Sequence, residues 1–456
     1  MGEFDTICAI ASAMTNSGIG IIRVSGDDAI EKVDNIFQGK NKLSDMDSHT
    51  VSYGHIVFKD KIIDEVMVLV LRAPRTYTRE NTIEIDCHGG IIVMQQILKA
   101  VIAQGVRPAD PGEFTKRAFL NGRIDLSQAE SVMDIIDSKS ALSLENSKNQ
   151  LFGLLSKKIK SLRESIIYEI AFIESALDDP EHISLDGYED RLLEKVKIIE
   201  NDLKKMIDSA DNGSMVRDGI KTSIIGKPNA GKSSLLNLLS KKDRAIVTDI
   251  AGTTRDTLEE QIMLRGISLI IMDTAGIRET EDVVEAIGVK KAIDTIDDSD
   301  LILYVVDSST KLDENDKHII EKIKDSNVIV LLNKSDLNSL VTEEEISDMV
   351  NGPVITFSAK NGDGLDILED KIDEMFFSGI LSDDHEIYIT NARHLNALTN
   401  AYNSMANVKY SIEMSMPEDF LSIDLMEAYT QLGYIIGESI DDDLMDEIFS
   451  KFCTGK

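Results

Sequence analysis

Gly226-Lys227-Pro228-Asn229-Ala230-Gly231-Lys232-Ser233 is a complete phosphate-binding loop of the form G-x-x-x-x-G-K-S. It follows the apolar run Thr222-Ser223-Ile224-Ile225 and precedes the helix-like Ser234-Leu235-Leu236-Asn237-Leu238-Leu239. A strand that delivers such a loop lets backbone N–H groups close around phosphate oxygens, and the next helix points its positive end at the same anion. In that setting Lys232 is expected to reach the β- and γ-phosphates and Ser233 to offer a hydroxyl to Mg²⁺. A chance glycine-rich turn does not come with this strand–loop–helix order.

Three further elements point to guanine. Asp273-Thr274-Ala275-Gly276 closes the apolar run Leu269-Ile270-Ile271-Met272, where an aspartate suits Mg²⁺ and a glycine admits a backbone N–H to the γ-phosphate. Asn333-Lys334-Ser335-Asp336 closes Val328-Ile329-Val330-Leu331-Leu332. The Asp336 carboxylate can accept from both N1–H and the 2-amino group of guanine, a donor pair that adenine lacks. Ser358-Ala359-Lys360, after Val354-Ile355-Thr356-Phe357, can close over the base. The loop Thr248-Asp249-Ile250-Ala251-Gly252-Thr253-Thr254-Arg255-Asp256 stands where a switch segment belongs. The residue after Asp273-Thr274-Ala275-Gly276 is Ile277, so the water-orienting glutamine of many regulatory GTPases is absent and hydrolysis must use another group.

At 456 residues the chain predicts about three domains of ordinary size. No apolar run approaches the ~20 residues of a membrane span. The start of the chain has no leader pattern, and Cys8, Cys87 and Cys453 are scattered, so a reduced, cytoplasmic protein is expected. The net charge of −33 opposes binding to nucleic acid unless a local basic patch or a partner carries the contacts.

The fold class expected is multidomain α/β. Residues 1–118 alternate β-like runs (Ile19–Val24, Ile62–Val70, Thr82–Asp86) with a helical pattern over Gly90–Gln104, an α+β domain. Residues 119–216 form the first part of a helical domain, with Leu151, Leu154, Leu155 and Ile159 at helix spacing. Residues 217–378 alternate strand and helix, as a parallel-sheet P-loop domain requires, and 379–456 return to helix. The simplest arrangement packs the last helices against the central ones. His88 could suggest a metal with Cys87, but two ligands are too few, and a helix start is the expected place for it.

Asn229 within the loop, the Asp249–Asp256 segment and Ile277 together resemble the tRNA modification GTPase family MnmE (TrmE). The resemblance extends to Asp86-Cys87-His88-Gly89-Gly90, to Pro111–Arg123, to Asp125-Leu126-Ser127-Gln128-Ala129-Glu130 and to the terminal Cys453-Thr454-Gly455-Lys456. It implies a K⁺-stimulated GTP hydrolase, with K⁺ held by Asn229, Thr248, Ile250 and Thr253 and Mg²⁺ by Ser233 and Thr254. It maps the nucleotide contacts onto Asn229 to Ser234 (Asn229, Ala230, Gly231, Lys232, Ser233, Ser234), onto Thr248, Asp249, Ile250, Ala251, Gly252, Thr253 and Thr254, and onto the three downstream motifs. The water-orienting acid maps to Glu285, which read from sequence alone could equally be an exposed helix residue.

The resemblance also implies a tetrahydrofolate-binding and dimerising amino-terminal domain. Its formyl- or methylene-tetrahydrofolate contacts map onto Arg23, Glu84, Arg123 and Lys456. Cys453 is a candidate for the modification chemistry or a structural terminal cysteine. The implied assembly is a homodimer joined by a flavin-dependent partner of the MnmG (GidA) type in a heterotetramer. It adds a (carboxymethyl)aminomethyl group to C5 of the wobble uridine of certain tRNAs. A ribosome-assembly or regulatory GTPase without modification activity is the rival reading, though the acidic C-terminal helices supply no basic RNA-binding module.

Overall fold

The computed structural model describes residues 5–184, 187–242, 260–272, 296, 298–377, 388–438, 440, 442–453 and 455. The chain divides into two compact units: Met1–Ile136 with Gln150–Leu185 and Met416–Lys456, and Asp137–Asn149 with Asp186–Ser415.

In the first unit β1 (Ile7–Ile10), β2 (Ile19–Ser25), β3 (Phe37–Gly39), β4 (Thr50–Phe58), β5 (Lys61–Leu71), β6 (Thr82–His88) and β7 (Arg107–Pro108) form one sheet. Their order is β3-β4-β5-β6-β2-β1-β7. Period-two alternation sends Ile22, Val24, Val68, Ile83 and Ile85 into a core, where the helix Ile91–Ile102 adds Met94, Ile97 and Ala100. Arg23 and Glu84 fall at non-core positions of the same alternation. The antiparallel register of β2 and β6 sets them directly opposite one another. His88 is not a helix start. The Thr82–Asp86 alternation runs on to make it the last residue of β6, and the helix begins only after Gly89 and its N-cap Gly90. There the exposed imidazole Nδ1 lies 2.8 Å from Asp64 Oδ1.

The helix Leu154–Asp178 packs along Glu418–Ile436 through Leu155, Ile159, Ile166, Ile170 and Ile173. The four leucine and isoleucine positions expected on one helix face are divided. Gly153, at φ +80, ends one helix and opens the next, so Leu151 closes Ala141–Leu151 and only Leu155 and Ile159 are fully buried. Arg163 locks the pair of helices by donating to Glu438 Oε2 at 2.6 Å and to the Tyr429 carbonyl at 2.9 Å.

The second unit holds β8 (Ile220–Ile225), β9 (Glu260–Leu264), β10 (Ile267–Ile271), β11 (Leu301–Asp307), β12 (Val328–Asn333) and β13 (Val354–Thr356). Their order is β13-β12-β11-β8-β10-β9. All pairs are parallel except β9 with β10. The strict strand–helix alternation expected here misses that edge hairpin. Its turn, Arg265-Gly266, has both residues at positive φ, 47° and 85°. Both faces of the central strands are buried. Leu301, Leu303, Val305, Ile329 and Leu331 enter one core, and Ile302, Tyr304, Val306, Val328, Val330 and Leu332 the other. The helix Tyr188–Asp208 packs along Ala392–Glu413 in the same unit. Among the described residues no helix is long and apolar enough to cross a membrane.

Candidate functional site

β8 ends at Ile225, and the helix Lys232–Lys242 begins at the far side of the loop. Gly226, Asn229 and Gly231 all take positive φ (148°, 61° and 106°), which folds the loop back over the helix start. The half-buried ammonium of Lys232 donates to the carbonyls of Gly226 and Lys227, each at 2.8 Å. Burial pulls its pKa below the ordinary lysine value. Ser233, Ser234 and Asn229 are exposed at the loop's mouth.

The loop is braced from outside. Lys227 Nζ lies 2.6 Å from Asp316 Oδ2 and 3.0 Å from Asp313 Oδ2, at the start of the helix Glu314–Ile323. Burial lowers the Lys227 pKa, but these two carboxylates outweigh it, and the net shift is upward. Asp316 is itself buried and also accepts from the Tyr304 hydroxyl at 3.1 Å. Sequence reasoning passed over this brace. The one local signal for it is Asp313 with Asp316, an acidic pair at capping-box spacing.

The ends of β12 and β13 meet the loop. Asn333 Nδ2 donates to the Ala230 carbonyl at 2.7 Å, and its Oδ1 accepts from the Ala359 N–H at 2.9 Å. Lys334 Nζ donates to Asp307 Oδ2 at 2.6 Å. Burial alone would raise the Asp307 pKa, but Lys334 and Ser309 hold it below the usual carboxylate value. Asp336 Oδ1 accepts from the Ser358 hydroxyl at 3.0 Å, and exposed Lys360 stands 4.0 Å from its other oxygen. The phosphate loop, Asn333-Lys334-Ser335-Asp336 and Ser358-Ala359-Lys360 thus converge on one rim of the sheet, the carboxyl ends of parallel strands where ligands of this architecture bind. Thr248, Asp249, Ile250, Ala251, Gly252, Thr253, Thr254, Asp273, Thr274, Ala275, Gly276 and Glu285 lie outside the described residues.

A second constellation stands in the first unit. Arg23 Nε and Nη2 both lie 2.8 Å from Glu84 Oε1, and Arg23 Nη1 donates to the Gly455 carbonyl at 3.2 Å. Glu84 Oε2 takes no hydrogen bond among the described residues. The Arg23 guanidinium lies 5.9 Å from the Tyr77 ring centre and 5.7 Å from that of Phe114. Arg123 lies 4.7 Å from the same Tyr77 ring and donates to the Tyr77 carbonyl at 3.3 Å. Tyr77 therefore bridges two of the expected residues, a role that no motif announced. Burial raises its phenol pKa. Cys453 is exposed, and its carbonyl accepts from the Gly112 N–H at 3.3 Å. Buried Cys8 and Cys87 are pushed up to about 12 and about 11 by desolvation, which leaves their thiols inert. Lys456 lies outside the described residues.

Beneath that constellation Arg117, only 1% exposed, is held by Glu80 at 3.2 Å and Glu113 at 2.8 Å. Glu113 also takes Arg107 at 2.7 Å. This network fixes the helix Glu113–Leu120, and with it the turn that carries Arg123.

The profile of the MnmE helical domain matches residues 126–453, and that of the GTP-binding protein TrmE N-terminus matches residues 6–123. A tRNA modification GTPase MnmE of Lachnoclostridium phytofermentans is 56% identical over 455 residues, 99% of each chain. The protein of that name from Bacillus mycoides is 47% identical over the whole of both chains. That from Clostridioides difficile is 46% identical over 99% of each. Among solved structures, the G domain of the T. maritima FeoB iron transporter is 24% identical over 34% of this chain and 97% of its own, with a TM-score of 0.26. On two matching profiles and full-length identity near one residue in two, the chain belongs to the MnmE family of tRNA modification GTPases.

Proposed function

We propose that this GTPase hydrolyses GTP with the help of K⁺. With a flavin-dependent partner of the MnmG type, as a homodimer within a heterotetramer in the cytoplasm, it would install a (carboxymethyl)aminomethyl group at C5 of the wobble uridine in certain tRNAs. A formyl- or methylene-tetrahydrofolate is the one-carbon carrier. The observation that carries the nucleotide half is the pair of hydrogen bonds by which Asn333 ties the phosphate loop to the Ser358-Ala359-Lys360 segment. The division into 1–118, 119–216, 217–378 and 379–456 belongs to the same proposal.

The residues fit these groups by the chemistry of their donors. Asp336, steadied by Ser358, offers a carboxylate for the guanine edge. Lys232 donates its ammonium to two loop carbonyls and can exchange them for phosphate oxygens. Ser233 and the exposed amide oxygen of Asn229 are hard ligands for Mg²⁺ and K⁺. When bound, the two cations supply positive charge against the charge that develops on the β–γ oxygens. Glu285 is proposed to orient the attacking water. Glu84 Oε2 is open to the amino-pyrimidine edge of a pterin, with Arg23 and Arg123 both beside Tyr77.

Transfer of isotope from labelled methylene-tetrahydrofolate into tRNA by the full chain with its partner tests the whole reading. GTP turnover without label in tRNA would favour the regulatory rival.

A further inference from the structure

We propose that the cleft beside Tyr77 binds the γ-linked polyglutamate tail of the folate, with Arg75 and Arg79 reading carboxylates beyond the first glutamate. The inference rests on the folate reading above and extends it to the charge of the ligand.

The cleft has a volume of about 480 Å³, and its lining includes Arg75, Arg79, Arg123, Tyr77, Thr76 and His49, with no carboxylate among the lining residues. That is a local reversal of the chain's balance of 81 acidic to 48 basic residues. A cationic concavity on so acidic a protein concentrates field on small anions and leaves the surroundings repulsive to large ones. Three arginines offer planar forks suited to carboxylates.

Tyr77 links the cleft to the folate pair: the Arg23 guanidinium, bonded to Glu84, lies 5.9 Å from its ring centre, and Arg123, which lines the cleft, lies 4.7 Å from it. Gly122, at φ +68, lets the chain turn sharply after the helix Glu113–Leu120, so that Arg79 Nη1 reaches the Asn121 carbonyl at 2.8 Å next to Arg123. Arg75 makes no hydrogen bond or ion pair among the described residues. A ligand whose ring meets Glu84 and whose first glutamate meets Arg123 would have its tail in the cleft that Arg75 and Arg79 also line. Tails of several γ-glutamates carry one added carboxylate per residue along that path. Continuity with the Arg23–Glu84 pair favours this occupant over an RNA phosphate, which would need no such lead-in.

The test is equilibrium binding of the full chain to 5-formyl-tetrahydrofolate as the monoglutamate and as the pentaglutamate, by calorimetry at low and high KCl. The pentaglutamate is expected to bind about tenfold tighter at low salt, with the advantage shrinking as salt rises. The double substitution Arg75→Ala, Arg79→Ala should remove that advantage, keep monoglutamate affinity, and leave the melting temperature unchanged. Equal affinity for the two ligands overturns the tail site while leaving the folate reading intact. Failure of both ligands to bind overturns the folate reading and this one with it. A double variant that loses tRNA binding but keeps the pentaglutamate advantage assigns the cleft to RNA and overturns the proposal.

Discussion

Asn333 and Ala230 are joined across about a hundred residues of sequence by one hydrogen bond of 2.7 Å. Through it the carboxyl end of β12 holds the phosphate loop in shape. A Cβ at Gly231 would fall well inside contact distance of Asn333 Nδ2, and Gly231 also has φ +106. Gly231→Ala is therefore expected to break the bond and weaken binding of GDP and GTP alike by at least about tenfold. Asn333→Ala leaves the Ala230 carbonyl and the Ala359 N–H without partners, costing about 1–3 kcal/mol. Fluorescent-nucleotide titration checks both, and undiminished affinity in either variant would remove the brace from the account.

Base choice rests on Asp336. Its carboxylate is held by the Ser358 hydroxyl at 3.0 Å with one oxygen left to turn towards a base. Asp336→Asn exchanges an acceptor for a donor and should shift preference from GTP to xanthosine triphosphate by about two orders of magnitude. Competition binding with the two triphosphates measures this, and an unchanged ratio refutes the contact.

How far such residues can be read from sequence depends on how local their physics is. The phosphate loop, Asp336 and Ser358 were legible because each motif ends a strand and its chemistry lies within a few residues. Glu84 and Arg23 needed the register of β2 and β6, which a single sequence does not carry, and entered only through resemblance. Arg75, Tyr77 and Arg79 lie within five residues of one another but form no motif, and what brings Arg123 to them is the turn at Gly122 after the helix fixed by the Arg117 network. His88 was misplaced for a related reason: period-two alternation shows that a strand exists more clearly than where it stops.

Asn229 projects from the loop at φ +61, a conformation in which asparagine is tolerated better than most residues. Asn229→Gly keeps the backbone and deletes the amide oxygen. Hydrolysis by the native chain should be faster in K⁺ than in Na⁺ at equal ionic strength. The variant should lose that difference while its nucleotide affinity changes less than about threefold. A native chain indifferent to the cation would sink the K⁺ reading.

Glu285→Ala should slow single-turnover hydrolysis by about 10²-fold or more with nucleotide affinity nearly intact, the pattern of a group that acts only on the attacking water. A normal rate would acquit it.

Acid stability offers a test of the first unit that needs no ligand. Burial alone would raise the Glu113 carboxyl, but hydrogen bonds from Arg107, the Asp110 N–H and Arg117 outweigh it, so its folded-state pKa lies below the ordinary 4.5. A carboxyl depressed in the folded state stabilises fully above its unfolded value, and that stabilisation is lost as pH falls through the folded value. The melting temperature of the unit containing Glu113 should therefore hold from pH 7 to about 5 and then drop below the ordinary carboxylate range. Glu113→Gln lowers the plateau, because Arg117 loses a charged partner in a buried setting, a cost of about 3 kcal/mol. It should also flatten the fall below pH 4.5, since the titrating group is gone. Calorimetric melts of both chains across that range separate the two effects, and a variant that falls as steeply as the native chain would show that the acid sensitivity lies elsewhere.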